Sequence, residues 1–231
     1  MNRSRVTAAL EVVLCSGLPT QLALTAWLAA AGLEPHDPAG RLSLPFVALL
    51  SIGDATLVLT LIFGFLAAGG ERPRAVFLGA RPAAREALLG LWLTPIAYIV
   101  ALTVLGAVRL LAPWLRDVPV NPFESLLATP GGRVLVAVLV VVAGGIREEL
   151  QRAFILHRFD QALGGARLGL VLFSVVFGLG HLQQGRDVAL ATACLGLFWG
   201  AVYLNRRSVV APVVSHAAFN LTEVVRHSLW G

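Results

Sequence analysis

The sequence contains no lysine, few charged residues and few cysteines, and each shortage narrows the class of protein. Charged residues make up 13% and hydrophobic residues 57% of the 231 residues, whereas soluble domains carry about 25% charged residues. Both cysteines, Cys15 and Cys194, lie within apolar segments, which excludes a disulfide framework and a CxxC metal site. With a mean hydropathy of +0.79, the chain is predicted to be an integral membrane protein.

The positive charge comes entirely from arginines. The net charge of +5 rests on arginines that stand singly or in pairs between apolar runs. This distribution is typical of membrane topology signals and unlike the basic stripe of a nucleic-acid-binding surface. A lipid bilayer is therefore the predicted surrounding, and no nucleic acid partner is expected.

Apolar runs of about 20 residues can cross a hydrocarbon core of about 30 Å. They predict an all-α, polytopic transmembrane bundle in a single membrane domain over residues 1–231. No internal repeat is present, and the five tryptophans mostly lie near span ends, as in an interfacial belt. Seven spans are predicted, near residues 8–32, 43–68, 87–112, 133–157, 167–183, 187–205 and 208–228.

The loops between these spans differ in arginine content. By the positive-inside rule, the richer side is cytoplasmic and includes the N-terminus. Glu11, near that edge, is expected to reach water. A composition rich in Ala, Leu, Val, Gly and Arg without Lys is typical of GC-rich bacterial genomes, which predicts a bacterial cytoplasmic membrane. The arginines on the richer side are Arg3, Arg5, Arg72, Arg74, Arg81, Arg85, Arg158, Arg167, Arg206 and Arg207.

The stretch "GGIREELQRAFILHR", residues 144–158, brings charges into the fourth span. Glu148 precedes Arg158 by ten residues, which places it roughly 15 Å from the cytoplasmic edge. Ionisable residues at such depth usually face a bundle interior or a wet cavity. Glu148 and Arg152 are four residues apart and are predicted to form an ion pair on one helix face. Asp54, in the middle of the second span, is expected to make a helix-packing hydrogen bond.

Two later spans carry polar residues at a comparable depth. The fifth contains Phe177 and His181, with His181 roughly 21 Å from the edge at Arg167. The seventh contains His216 and Asn220, with His216 roughly 14 Å from Arg207. The agreement in depth predicts that these residues meet Glu148 in one site.

Such a site suits hydrolysis of an amide. Two adjacent carboxylates at low dielectric cannot both ionise cheaply, which favours one of them, Glu148, as a general base. A histidine from another helix can hold the same water molecule. A second histidine, with an asparagine amide, can donate hydrogen bonds to the oxyanion formed when a carbonyl is attacked.

The acid cluster, the FxxxH and the HxxxN, in this order on successive apolar segments, resemble the three motifs of the CAAX protease and bacteriocin-processing family. These proteins are intramembrane glutamic endopeptidases related to the type II CAAX prenyl protease. The resemblance covers about residues 134–225, and the predicted catalytic core spans residues 133–228. One departure is that the family has arginine five residues after the first glutamate, whereas Arg152 follows Glu148 by four. The base can therefore be Glu148 or Glu149, and Glu148 is favoured because it shares a face with Arg152.

The resemblance implies a role for each residue. Glu148 and His181 would activate water, while His216 and Asn220 would stabilise the oxyanion. The supporting or substrate-binding residues would be Glu149, Arg152 and Phe177. The family is held to need no metal, so no cofactor is expected. As an alternative, Glu148, His181 and His216 could bind zinc, because two histidines, a glutamate and water form a known catalytic set.

The expected partner is a membrane-associated protein or peptide substrate, such as a C-terminal tail or a peptide precursor. Two other functions stay open at this level. One is a non-catalytic immunity or scaffold protein of the same fold. The other is a proton-coupled transporter, in which intramembrane Glu and His are also natural, although such transporters are usually longer and built from repeats.

Overall fold

The computed structural model describes residues 4–230, and within this range the chain is helical without a β-sheet. A π-helical segment, Val140–Arg147, joins α6 to α7. Short 3₁₀ turns occupy Pro113–Leu115, Pro122–Leu127 and Leu182–Gln184. Arg3 lies outside the described residues. The α-helices are α1 (Arg5–Leu14), α2 (Leu18–Ala30), α3 (Leu44–Ala68), α4 (Pro73–Phe77), α5 (Ala83–Leu111), α6 (Pro130–Leu139), α7 (Glu148–Ala162), α8 (Ala166–Leu179), α9 (Arg186–Arg206) and α10 (Val210–Trp230).

The predicted all-α membrane bundle is confirmed. Four helical segments of the described chain are long and apolar enough to cross a membrane, and α8 is a shorter apolar helix. The fourth predicted span corresponds to α6, the π segment and α7, and the seventh corresponds to α10. The fifth was predicted too long, because α8 ends at Leu179. The four long segments are Arg5–Ala30, Leu44–Ala68, Ala83–Leu111 and Arg186–Arg206.

The first span is broken between α1 and α2. Gly17 has a φ of +86°, and a Cβ atom there would lie 2.4 Å from Nη2 of Arg147. Only glycine combines this left-handed backbone with so close a neighbour. The break therefore makes room for a buried arginine that comes from the π segment.

The arginine in this space is paired inside the bundle. Arg147 forms a buried ion pair with Asp54 of α3, and the Thr20 hydroxyl of α2 donates a hydrogen bond to the same carboxylate. The predicted helix-packing hydrogen bond of Asp54 is thus confirmed, and the pairing also joins α3 to the π segment.

Two expectations for the predicted cytoplasmic side are wrong. Arg158 is not in a solvated loop and Glu11 does not reach water, because both are buried. Nε of Arg158 lies 2.5 Å from Glu11 of α1, and Nη1 lies 2.7 Å from Glu71, just after α3. Helix α7 continues to Ala162, so Arg158 lies within the helix. Its guanidinium faces the bundle and forms ion pairs with Glu11 and Glu71.

Candidate active site

The π-helical segment brings α10 unusually close to the start of α7. A Cβ atom at Gly145 would lie 2.8 Å from Cβ of Ala217, and one at Gly144 would lie 2.6 Å from Nδ2 of Asn220. A side chain at either glycine would therefore force α10 or the Asn220 side chain to move. π-Helical turns often occur at functional sites, and this one brings His216 against the two glutamates that follow it.

Glu149, Arg152 and His216 form a buried polar cluster. Nδ1 of His216 lies 2.8 Å from Oε1 of Glu149, and the same oxygen accepts a hydrogen bond from Nη1 of Arg152. Because a carboxylate can only accept, Nδ1 of His216 carries the hydrogen. This bond fixes which ring nitrogen faces Glu149 and leaves Nε2 for another partner.

That nitrogen faces Glu148. Nε2 of His216 lies 3.8 Å from Oε2 of Glu148, too far for a direct hydrogen bond. The Glu148 side chain keeps 19% of its surface exposed, whereas Glu149 keeps 1%. Among the described residues, none forms a hydrogen bond with the Glu148 carboxylate. Glu148 is thus the more accessible carboxylate, beside a histidine whose position is fixed.

The predicted ion pair between Glu148 and Arg152 is wrong. Arg152 pairs with Glu149, three residues before it in α7. Residues three and four apart both lie on one helix face, so spacing alone allows either partner. The contact with His216 selects Glu149 as the partner of Arg152. Glu149 is buried against His216, and Arg152 pairs with that buried carboxylate.

Aromatic rings surround this cluster. The Trp199 ring of α9 stacks on His216 with centroids 3.8 Å apart. The Phe177 ring of α8 meets His216 edge-on at 6.2 Å. Cζ of Arg152 lies 4.7 Å from the centre of the Phe177 ring, within the range of a cation–π contact. Phe177 therefore touches both the arginine and the histidine of the site.

His181 and Asn220 lie at the periphery of the cluster. His181 follows the C-terminal end of α8, and its Nδ1 donates a hydrogen bond of 2.8 Å to the Phe177 carbonyl, leaving Nε2 free. No hydrogen bond or ion pair joins these two described residues to Glu148. Of the predicted site residues, the structure thus brings Glu148, Glu149, Arg152, Phe177 and His216 together, with His181 against Phe177.

The proposed zinc ligands are not arranged as a metal site. Within residues 4–230, no three His, Cys, Asp or Glu side chains are grouped so that they could hold a metal ion. The Nδ1 atom of His181 is also engaged by the Phe177 carbonyl, and no hydrogen bond or ion pair joins His181 to Glu148 in the described structure. The residues do not fit a zinc ion in this arrangement.

Sequence reasoning missed the part that α9 plays in the site. The tryptophans were attributed to an interfacial belt, yet Trp199 is buried at 1% exposure. Its position well inside a predicted span, next to Gly200, was a signal against an interfacial role. Helix α9, which carries none of the predicted site residues, thus supplies one wall of the His216 environment.

The fold and site define a class of protein: an all-helical membrane bundle with a buried glutamate–arginine–histidine cluster on α7 and α10. Residues 130–222 match the family described as type II CAAX prenyl endopeptidase Rce1-like. This segment contains every residue of the cluster and overlaps the predicted core. This match supports the assignment to the CAAX protease and bacteriocin-processing family that the motifs predicted. Family members are generally proteases, and some are non-catalytic. Comparisons with curated proteins and with solved structures gave no match.

Proposed function

We propose that this protein is an intramembrane endopeptidase that hydrolyses a peptide bond in a membrane-associated substrate with a water molecule activated by glutamate and histidine. The proposed substrate is a C-terminal tail or a peptide precursor. The proposed location is a bacterial cytoplasmic membrane with the N-terminus in the cytoplasm, and no metal or nucleic acid takes part.

One observation carries the proposal: His216 lies between two carboxylates that differ in environment. Glu149 is buried and engaged by Arg152 and His216, so it supports the site as a fixed charge. Glu148 is partly exposed and faces Nε2 of the same ring at 3.8 Å. Two acidic groups held in unlike environments are the arrangement expected when one of them is to move protons.

The reaction divides into two steps. First, Glu148 takes a proton from water while the water oxygen bonds to the carbonyl carbon of the substrate. Nε2–H of a protonated His216 donates a hydrogen bond to the resulting oxyanion, and the negative charge of Glu149 compensates the charge of that ring. The C–N bond then breaks, and Glu148 returns its proton to the leaving amine.

His181 and Asn220 keep proposed roles at the edge of this centre. The free Nε2 of His181 can hold the attacking water, and the Asn220 amide can donate to the oxyanion. In the described structure neither residue forms a hydrogen bond with Glu148, and catalytic hydrogen bonds commonly shorten only when substrate is bound.

The test compares protein termini in membranes of cells that produce the wild type, Glu148→Gln or Glu34→Gln, by quantitative mass spectrometry. Glu34→Gln is the matched control, because it makes the same chemical change at an exposed residue. We expect some termini to vanish with Glu148→Gln and to persist with Glu34→Gln.

Unchanged termini, with the Glu148→Gln protein at normal abundance, would contradict the proposal and favour an immunity or scaffold role. Loss of proton-coupled uptake in this variant, without any change in termini, would favour the transporter instead.

A further inference from the structure

We propose that Trp199 is a positioning residue that holds the His216 ring in the plane in which Nε2 faces Glu148. This inference rests on the proposed function. It assigns a role in the reaction to α9, a helix that carries none of the motif residues.

The His216 ring needs a second constraint. The hydrogen bond from Nδ1 to Glu149 fixes one atom of the imidazole, but combined changes of the two side-chain torsions can still turn the ring plane while that atom stays in place. Such a turn would carry Nε2 away from Glu148. The position of the working nitrogen therefore depends on whatever fixes the plane of the ring.

Trp199 fixes that plane. Its ring lies 3.8 Å from the His216 ring at an interplanar angle of 15°, so the two are nearly parallel and in contact. A turn of the His216 ring out of this plane would drive an edge of the imidazole into the indole. Phe177 meets His216 at 87°, so it borders the ring without supporting its face.

The indole is itself held in place. Nε1 of Trp199 donates a hydrogen bond of 3.1 Å to the Ser215 hydroxyl, and Ser215 directly precedes His216 on α10. Both partners are buried, where a lost hydrogen bond is costly. The bond ties the indole to the same turn of helix that carries the histidine, so the two rings keep their mutual position.

The kinetic test measures kcat and KM of purified protein on a peptide that spans a cleavage site found in the membrane comparison. Trp199→Leu removes the aromatic face, and we expect kcat to fall about 10- to 100-fold, the scale of a small misplacement of a catalytic group. KM should stay unchanged, because the indole is buried and touches His216 instead of the substrate. Trp199→Phe keeps a ring and should retain most of the activity that Leu loses.

Two further variants sharpen this test. Ser215→Ala removes the hydrogen bond that holds the indole but keeps the stacked rings of Trp199 and His216. It should therefore lower kcat by less than Trp199→Leu. Phe198→Leu removes the neighbouring ring from the same apolar cluster and should keep wild-type kcat. If folded Trp199→Leu and Ser215→Ala proteins both had wild-type kcat, the inference would be overturned.

A double-mutant cycle tests the contact without any reference to proteolysis. Thermal unfolding in detergent is measured for Trp199→Leu, His216→Gln and the double variant. If the rings support each other, the double variant loses less than the sum of the single losses. Additive losses would overturn the inference alone. Non-additive losses in a protein that cleaves nothing would instead overturn the proposed function, and the catalytic role of Trp199 with it.

Discussion

The close approach of α10 to the π segment leads to a prediction about Gly145. In Gly145→Ala the new Cβ would lie 2.8 Å from Cβ and 3.2 Å from Cα of Ala217, whereas ordinary contact begins at 3.4 Å. The neighbour is not the far end of a flexible side chain but belongs to the α10 backbone and its first side-chain atom. Helix α10 must therefore move away by about 0.6 Å at this point.

This movement occurs one residue from His216. Misplacing a catalytic group by about 1 Å can cost about 100-fold in rate, so we expect Gly145→Ala to lose at least about tenfold in kcat. Overpacking a tight core costs about 1–3 kcal/mol, and the unfolding temperature in detergent should fall as well. The assay is cleavage of the same peptide at equal concentrations of folded protein.

Gly131→Ala is the matched control. It makes the same substitution in α6, where a new Cβ would meet no atom within 4 Å. It should retain wild-type kcat and stability. Gly145→Ala protein with wild-type kcat would refute the view that the spacing between α10 and the π segment sets the position of His216.

Three further predictions concern charge and metal. Burial would raise the pKa of Glu71, but its hydrogen bond to His157 and the charge of Arg158 outweigh burial and hold that pKa below its usual range. The stabilisation by ionised Glu71 is fully present above the pKa that this residue has in the unfolded protein, and it is lost as the pH falls through the pKa of the folded protein. Between about pH 5 and 3, the unfolding temperature of the wild type should therefore fall more than that of Glu71→Gln. Equal falls would contradict this. Arg147→Met leaves Asp54 buried without its cation and should destabilise by about 3–5 kcal/mol, and adding Asp54→Asn should recover part of the loss, as thermal unfolding would report. Cleavage should persist after exhaustive chelation, and its recovery only on adding zinc would contradict a metal-free reaction.

Sequence patterns predicted the helices well, because apolar length is a direct requirement of the bilayer. They also predicted that the glutamates and His216 meet, since equal depth in a bundle constrains residues to one layer. Depth does not determine which neighbours touch at that layer. The glutamate predicted to pair with Arg152 was therefore the wrong one, and the stacking of Trp199 on His216 was not predicted.

Arginine counting failed at Arg158 for a related reason. The positive-inside rule treats an arginine at a span end as solvated, yet α7 extends past Arg158 and turns it toward Glu11 and Glu71. Glu11 lies 147 residues before Arg158 on α1, and Glu71 lies just after α3. Pairing over such separations is decided by tertiary packing, which local spacing does not contain.

The buried charges beside the π segment differ in how they are compensated. A charge inside a membrane protein is tolerated when it is paired, and Arg147 is paired with Asp54, while Glu149 is paired with Arg152 and His216. Glu148 forms no hydrogen bond with the described residues and keeps part of its surface exposed. A carboxylate with a purely structural role would be expected to be held by hydrogen bonds, as Glu149 is held by Arg152 and His216. A partly exposed carboxylate next to a histidine of fixed orientation is the arrangement that the proposed general base requires.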